Sequence, residues 1–126
     1  MSNLVVSNIS DGTTSVGTGY VVNGSAKAWV NFNGTGTAAI QDSLNMSSLT
    51  DNGTGDYTLT YSNSLAGVFS NIVACSQSGR SVTQRAMAYD STTASSFIMG
   101  TYIDAGSTQT AFDNALNDAV VFGDLA

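Results

Sequence analysis

The sequence predicts an all-β fold: an antiparallel, jelly-roll-like β-sandwich that forms one domain over residues 1–126. Composition is the first reason, because Ser, Thr, Gly, Asn and Asp fill 66 of the 126 positions and strong helix formers are scarce. About eight short alternating segments, separated by turns rich in Gly and Asn, are the second reason. The chain also has no Pro, a usual guard of strand edges. The edges are therefore covered either within the chain or by another subunit, and we favour the second.

The N-terminal quarter contains the first predicted strand. Alternation through Val5 to Ser10 predicts this strand, and the Gly-, Ser- and Thr-rich residues 11–19 predict a loop. Residues 20–23 predict a short extended piece. The stretch from Ala26 to Phe32 predicts a strand that buries Ala28, Val30 and Phe32.

Two turns with the same Asn-Gly-Thr-Gly wording, at residues 33–36 and 52–55, predict hairpins. The first leads into a strand over residues 37–44, with Ala38, Ile40 and Asp42 on one face. The second joins a short strand over residues 47–50 to the clearest alternation in the chain. That alternation points its apolar side chains inward; they are Tyr57, Leu59 and Tyr61.

The second half of the chain shows a less regular alternation of apolar and polar residues. Residues 65–76 are apolar in both registers, which predicts a strand that is central or covered by a neighbour. Turns at residues 78–80 and 105–107 flank two predicted strands, at 81–89 and 95–103. We predict a last strand over residues 119–125 and leave residues 110–117 open to a helical turn.

Charge excludes several kinds of partner. Nine Asp residues face only Lys27, Arg80 and Arg85, and the formal net charge is −6. So few cations argue against nucleic acid and against an anionic membrane surface. We expect no membrane insertion and no signal peptide, since no apolar run approaches the required length.

The residue types needed for catalysis are largely missing, so we expect no enzyme and no cofactor. The chain has no His, so the only candidate for a serine nucleophile with a base is the Ser25–Lys27 pair. Paired Asp side chains remain a minor alternative for cleaving glycosides. We interpret Cys75 as a buried small hydrophobe. The Asp-rich turn at residues 51–56 is read as a hairpin, and whether it binds a cation is left open.

Trp29 shares the second face of its strand with Lys27 and Asn31. A solvated Trp on that face needs an explanation, because exposed aromatic rings mark contacts. We predict that Lys27, Trp29 and Asn31 form a subunit contact or a ligand platform on which sugar rings stack. Ordinary core packing is the remaining alternative.

Four stretches carry a resemblance to a known family: residues 26–37, 42–45, 47–58 and 121–126. In these the chain resembles small structural proteins and fibre-terminal domains of tailed bacteriophages, common in marine phages and described as tail fibre or fibre-like. The resemblance covers residues 9–61 well and the C-terminal end briefly.

The resemblance implies a non-enzymatic virion protein, a homotrimeric fibre, fibre tip or surface appendage that contributes to host-surface attachment. Its partners would be its own copies, another virion protein and a host surface glycan. Loops at residues 63–67, 77–80, 90–94 and 104–109 would face the target. A capsid decoration, cement or head-fibre protein is the alternative, and an Asp-based carbohydrate-cleaving enzyme is a minor one.

Overall fold

The computed structural model describes residues 2–68, 71–77, 84–105 and 108–126. One short helix, α1, spans Thr18–Gly24. The strands, numbered along the chain, are β1 (Asn8–Ser10), β2 (Ser15–Gly17), β3 (Ala26–Asn33), β4 (Ala39–Leu44), β5 (Met46–Gly53), β6 (Asp56–Tyr61), β7 (Asn71–Gln77), β8 (Gln84–Thr92), β9 (Ser96–Ala105), β10 (Thr108–Ala111) and β11 (Asn117–Gly123).

Two antiparallel sheets pack face to face and confirm the predicted all-β sandwich. One sheet has the strand order β4-β3-β11-β7. In the other, β8 pairs along one edge of β9, while β6 and then β10 share the opposite edge, and β5 pairs with β6. β1 and β2 form a separate two-stranded hairpin near the N-terminus.

The core lies between the two sheets, as the alternation predicted. Alternate side chains of β3, β6 and β11, and of the first part of β9, are buried among the described residues. These residues are Ala28, Val30, Phe32, Tyr57, Leu59, Tyr61, Phe97, Met99, Ala119 and Val121. The rings of Phe32 and Tyr57 meet edge to face across the sheets, with centroids 5.1 Å apart.

Asn45 carries the chain from the first sheet to the second. It is the one non-glycine among the described residues with positive φ, at 57°, a conformation that Asn tolerates better than most residues. Its side-chain Nδ2 donates to the carbonyl oxygens of Lys27 and Asn63, each at 3.1 Å, and its Oδ1 accepts from the Asn63 amide at 2.7 Å. The corner is therefore fixed by the side chain that makes it.

The two Asn-Gly-Thr-Gly turns meet at one end of the sandwich. The single Tyr57 hydroxyl proton is shared between Gly34 O, 3.0 Å from Tyr57 Oη, and Asp113 Oδ1, 2.8 Å from it, and the same Asp113 oxygen accepts from Gly55 N at 2.7 Å. Burial, and then the Asp113 side chain, raise the pKa of Tyr57 above its ordinary value. One buried hydroxyl and one carboxylate thus join both hairpins to the segment before β11.

Gly55 stands at the tightest point of this end. Its φ is +68°, and a Cβ there would collide with the carbonyl oxygen of Thr101 and lie 2.8 Å from Phe112 N. Gly36, in the first turn, has a similar φ of +66° but no atom within 4 Å of a Cβ. The first turn runs from Asn33 to Ala39, so it is a longer loop than a two-residue hairpin.

The predicted extended piece at residues 20–23 is wrong, because those residues belong to α1. Tyr and Val favour strands, but local hydrogen bonds close the helix instead. Ser25 N donates to Val21 O at 3.1 Å, and Lys27 Nζ reaches Val22 O. The predicted strand from Val5 also starts later, at Asn8, and its partner β2 lies within the predicted loop.

Two other predictions also need correction. Asp42 is exposed and does not share the inward face of β4 with Ile40. A bulge in the β3–β4 pairing shifts the alternation, so that Ser43 lies opposite the buried Val30. The strand predicted to be central or covered by a neighbour, β7, is not central: it lies at the edge of its sheet within the described residues. Val73 and Cys75 pack against the core, while Ala74 faces out.

In the tail, residues 112–116 form no helical turn, and β11 matches the predicted last strand. The predicted turn at 78–80 lies outside the described residues, as does most of the turn at 105–107. The predicted strands at 81–89 and 95–103 correspond to β8 and β9, although residues 81–83 are likewise outside the described part.

Candidate functional site

The outward face of the four-stranded sheet carries an apolar row across all four strands. Strand register aligns Leu44 of β4 with Trp29 of β3, Trp29 with Val120 of β11, and Val120 with Ala74 of β7. Trp29 is half-buried, and Leu44 is 49% exposed. Trp29, Ala74 and Val120 line a groove of about 330 Å³ on this face. The register thus turns a single predicted Trp into a continuous apolar strip.

A polar row lies next to the apolar one. Register aligns Asp42, Asn31, Asp118 and Ser76 across the same strands. Asn31 Nδ2 donates to Asp118 Oδ1 at 2.6 Å, which holds the amide flat across two strands. The arrangement places carboxylate and amide oxygens beside an aromatic ring, the chemistry that receives the hydroxyl groups of a sugar.

Lys27 lies on the same strand but is drawn toward the helix. Its Nζ donates to Ser25 O at 2.7 Å, to Ser25 Oγ at 2.9 Å and to Val22 O. A cation near the last carbonyls of a helix is stabilising because it offsets their partial negative charge. The predicted trio is therefore divided: Trp29 and Asn31 share the outward face of β3, and the Lys27 ammonium lies at the end of α1.

The Ser25–Lys27 pair is arranged as a structural tie. Ser25 Oγ donates to Val22 O at 3.2 Å, and Lys27 Nζ donates to that Oγ. A general base must accept the hydroxyl proton, whereas here the proton points to a carbonyl and the lysine acts as donor. The pair thus lacks the hydrogen-bond direction of a nucleophile and its base.

Other reactive groups are placed without partners for chemistry. Burial raises the pKa of the Cys75 thiol to about 11, so it stays protonated at neutral pH. Within the part of the chain that the structure describes, no three His, Cys, Asp or Glu side chains converge as a metal site would need. Asn52 of the Asp-rich turn donates to Asp56 Oδ1 at 3.1 Å and to Thr58 Oγ1 at 2.9 Å. That turn is closed by its own side chains.

A second surface, which we call the N-terminal arm, comprises residues 2–25. None of the residues of α1 is buried, and the arm exposes Leu4 (84%), Val5 (91%), Tyr20 (80%) and Val22 (60%). The arm is tied together internally: Thr18 N donates to Ser7 O at 2.9 Å, and Thr18 Oγ1 to Val6 O at 3.0 Å. It is an ordered segment whose apolar side chains face away from its own domain.

A groove lies where the arm meets the sandwich. Its volume is about 530 Å³, and it separates the end of α1 from β4 and the C-terminal residues. We call it the arm groove. Its exposed apolar lining consists of Val21, Val22, Leu44 and Leu125. The sequence reasoning missed this surface, although the uncharged run Leu4–Val6 and the apolar run Tyr20–Val22 between glycines were visible signals.

The described parts of the loops predicted to face a target lie at opposite ends of the sandwich. Residues 63–67 and 90–94 are neighbours, since Leu65 N donates to Ala94 O at 2.7 Å. Gln77 pairs with Asn117 at the other end of the sheet, beside Phe32. If one end of the sandwich faces a target, only some of the predicted loops lie at that end.

No helix in the described residues is both long and apolar enough to span a bilayer. No protein-family model matches the chain, and comparison with curated proteins and with solved structures gives no significant match. The resemblance to phage fibre proteins therefore stays a prediction.

Proposed function

We propose that the chain is a non-enzymatic structural module of a bacteriophage particle: a homotrimeric fibre, fibre tip or surface appendage that contributes to attachment to host surface glycans. The observation that carries the proposal is the N-terminal arm, an ordered segment that buries almost none of its apolar side chains in its own domain. Large exposed apolar patches mark sites of association. An assembly subunit needs such a surface.

The outward face of the four-stranded sheet supports the attachment role. Trp29 lines a groove, and Asn31 and Asp118 lie one row away with oxygens that can accept from hydroxyl donors. The Lys27 ammonium is engaged by three oxygens, and Asp42 and Asp118 add negative charge. This balance favours an uncharged saccharide over an acidic one.

Binding at one such shallow site is weak, about millimolar, and repeated copies raise it by avidity. A glycan array probed with the assembled protein tests this role, with Trp29→Ala as the binding variant and Trp29→Phe as its conservative control. We expect neutral glycans to be retained by Trp29→Phe and lost by Trp29→Ala. Retention by both variants contradicts the platform.

The location of the chain on a particle distinguishes a fibre protein from a capsid decoration protein. The exposed arm is compatible with both roles. Mass spectrometry of purified particles from the virus that encodes the chain should detect it, and a labelled antibody should mark tails or appendages. Label confined to heads favours decoration. Particles that lack the chain contradict the proposal.

A further inference from the structure

We propose that the chain assembles by arm exchange, in which residues 2–7 of one copy lie in the arm groove of the next copy. The inference rests on the proposed self-association and names the surfaces that perform it. The occupant is a second copy of this chain. The segment, the groove, the charges of both and a neighbouring strand edge favour it.

The segment presents apolar side chains that its own domain leaves exposed. Leu4 and Val5 are 84% and 91% exposed, more than any other large apolar side chain among the described residues. Residues 2–7 lie in no helix or strand, and the hydrogen bonds from Thr18 to Val6 O and Ser7 O hold only their C-terminal end. The segment is therefore presented at a fixed point of the molecule.

The arm groove has the complementary surface. Its apolar side chains are substantially exposed: Val21 43%, Val22 60%, Leu44 49% and Leu125 51%. Its one charged lining residue is Lys27, whose ammonium already donates to three oxygens. The groove is thus largely apolar, and its one cation is already engaged by three oxygens, so the groove does not favour an acidic partner.

Charge selects the segment as the occupant. The chain has a net charge of −6, so two acidic domains repel each other as they approach. Residues 2–10 carry no charged side chain and can reach the groove without bringing a carboxylate to it. A basic partner would find no Asp in the lining. An uncharged, apolar, extended peptide fits best, and this chain carries one.

The strand edge beside the groove adds backbone hydrogen bonds. β4 ends at Leu44 in the groove and, within the described residues, lies at the edge of its sheet. An extended peptide can pair with such an edge. Segment and groove are different surfaces, so the contact is head-to-tail and closes into a ring when the rotation permits. A ring of three copies is the homotrimer of the proposed function.

Three matched substitutions test the exchange in the full chain. Leu4→Asp changes the segment, Leu44→Asp changes the groove, and Leu116→Asp makes the same change at an apolar side chain, 38% exposed, outside both. Light scattering coupled to size exclusion gives the mass, and circular dichroism checks the fold. We expect the first two variants to be monomeric and the third to keep the mass of the unmodified protein.

Cross-linking between two cysteine variants tests the same contact without introducing a charge that could prevent folding. An equimolar mixture of Leu4→Cys and Leu44→Cys proteins should form a disulfide between two copies, and a mixture of Leu4→Cys and Leu116→Cys should form far less. A monomeric unmodified protein overturns both the self-association and the exchange. An oligomer that survives Leu4→Asp, or equal cross-linking in the two mixtures, overturns the exchange alone.

Discussion

Tyr57 and Tyr61 lie on the same face of β6 with their rings buried, but their hydroxyl groups differ. Tyr57 Oη makes hydrogen bonds of 3.0 and 2.8 Å to Gly34 O and Asp113 Oδ1, whereas Tyr61 Oη has no partner among the described residues. Replacing each Tyr by Phe deletes the same atom from the same strand. The two variants therefore isolate the value of the hydrogen bonds from that of the ring.

The expected magnitudes follow from these partners. A hydrogen bond to a charged group contributes about 1.5–3 kcal/mol, and the single Tyr57 hydroxyl proton serves both acceptors, so Tyr57→Phe should lower the free energy of unfolding by about 2–3 kcal/mol. Tyr61→Phe removes a buried hydroxyl that has no hydrogen-bond partner among the described residues. It should leave the stability unchanged or raise it by up to about 1 kcal/mol.

Urea unfolding at neutral pH, followed by the fluorescence of the single Trp, measures both changes. Calorimetry provides a second reading, at roughly 4 °C per kcal/mol for a chain of this length. The midpoint of Tyr57→Phe should fall by about 8–12 °C, while that of Tyr61→Phe should stay or rise slightly. Equal losses in the two variants would refute the assignment of the Tyr57 network as a clamp.

Three further predictions use the same measurements. Burial raises the pKa of Tyr61 to about 12, so the folded chain keeps a proton that the unfolded chain loses near pH 10. Stability should therefore be full below pH 10 and fall as pH rises toward 12, and Tyr61→Phe should reduce that fall in urea titrations; an unchanged fall contradicts this. Lys27→Met should speed hydrogen exchange of the α1 amides at least about tenfold while the global unfolding midpoint changes little, and Lys27→Arg should preserve their protection. Gly55→Ala should cost more than about 3 kcal/mol by steric collision, whereas Gly36→Ala at a similar φ should cost only about 1 kcal/mol, and equal costs would contradict the close packing.

Much of the sandwich could be predicted from local alternation. Tyr57, Leu59 and Tyr61 alternate without interruption, and all three are buried. The turn wording at residues 33–36 and 52–55 also located both hairpins. Such features depend on neighbours in sequence, which is why one sequence reveals them.

The failures arose where distant or competing contacts decide the structure. Helix α1 forms from strand-favouring residues because Ser25 and Lys27 satisfy its last carbonyls. The outward position of Asp42 depends on a bulge in its pairing with β3. No alternation within one strand reports either effect.

The candidate site was predicted in part for the same reason. Alternation placed Trp29 and Asn31 on one outward face, and the structure agrees. The partners that extend them, Leu44, Val120 and Asp118, come from other strands and depend on register. In the N-terminal arm the sequence predicts a first strand, a loop and a short extended piece, and it does not show that their apolar side chains stay exposed, because a run of Leu and Val suits a core as well as an interface.

On this proposal the chain works through assembly with its own copies. Sedimentation equilibrium of the full chain, from dilute solution to about 100 µM, measures that assembly. We expect a species of three chains that persists on dilution. A single chain at every concentration would contradict it.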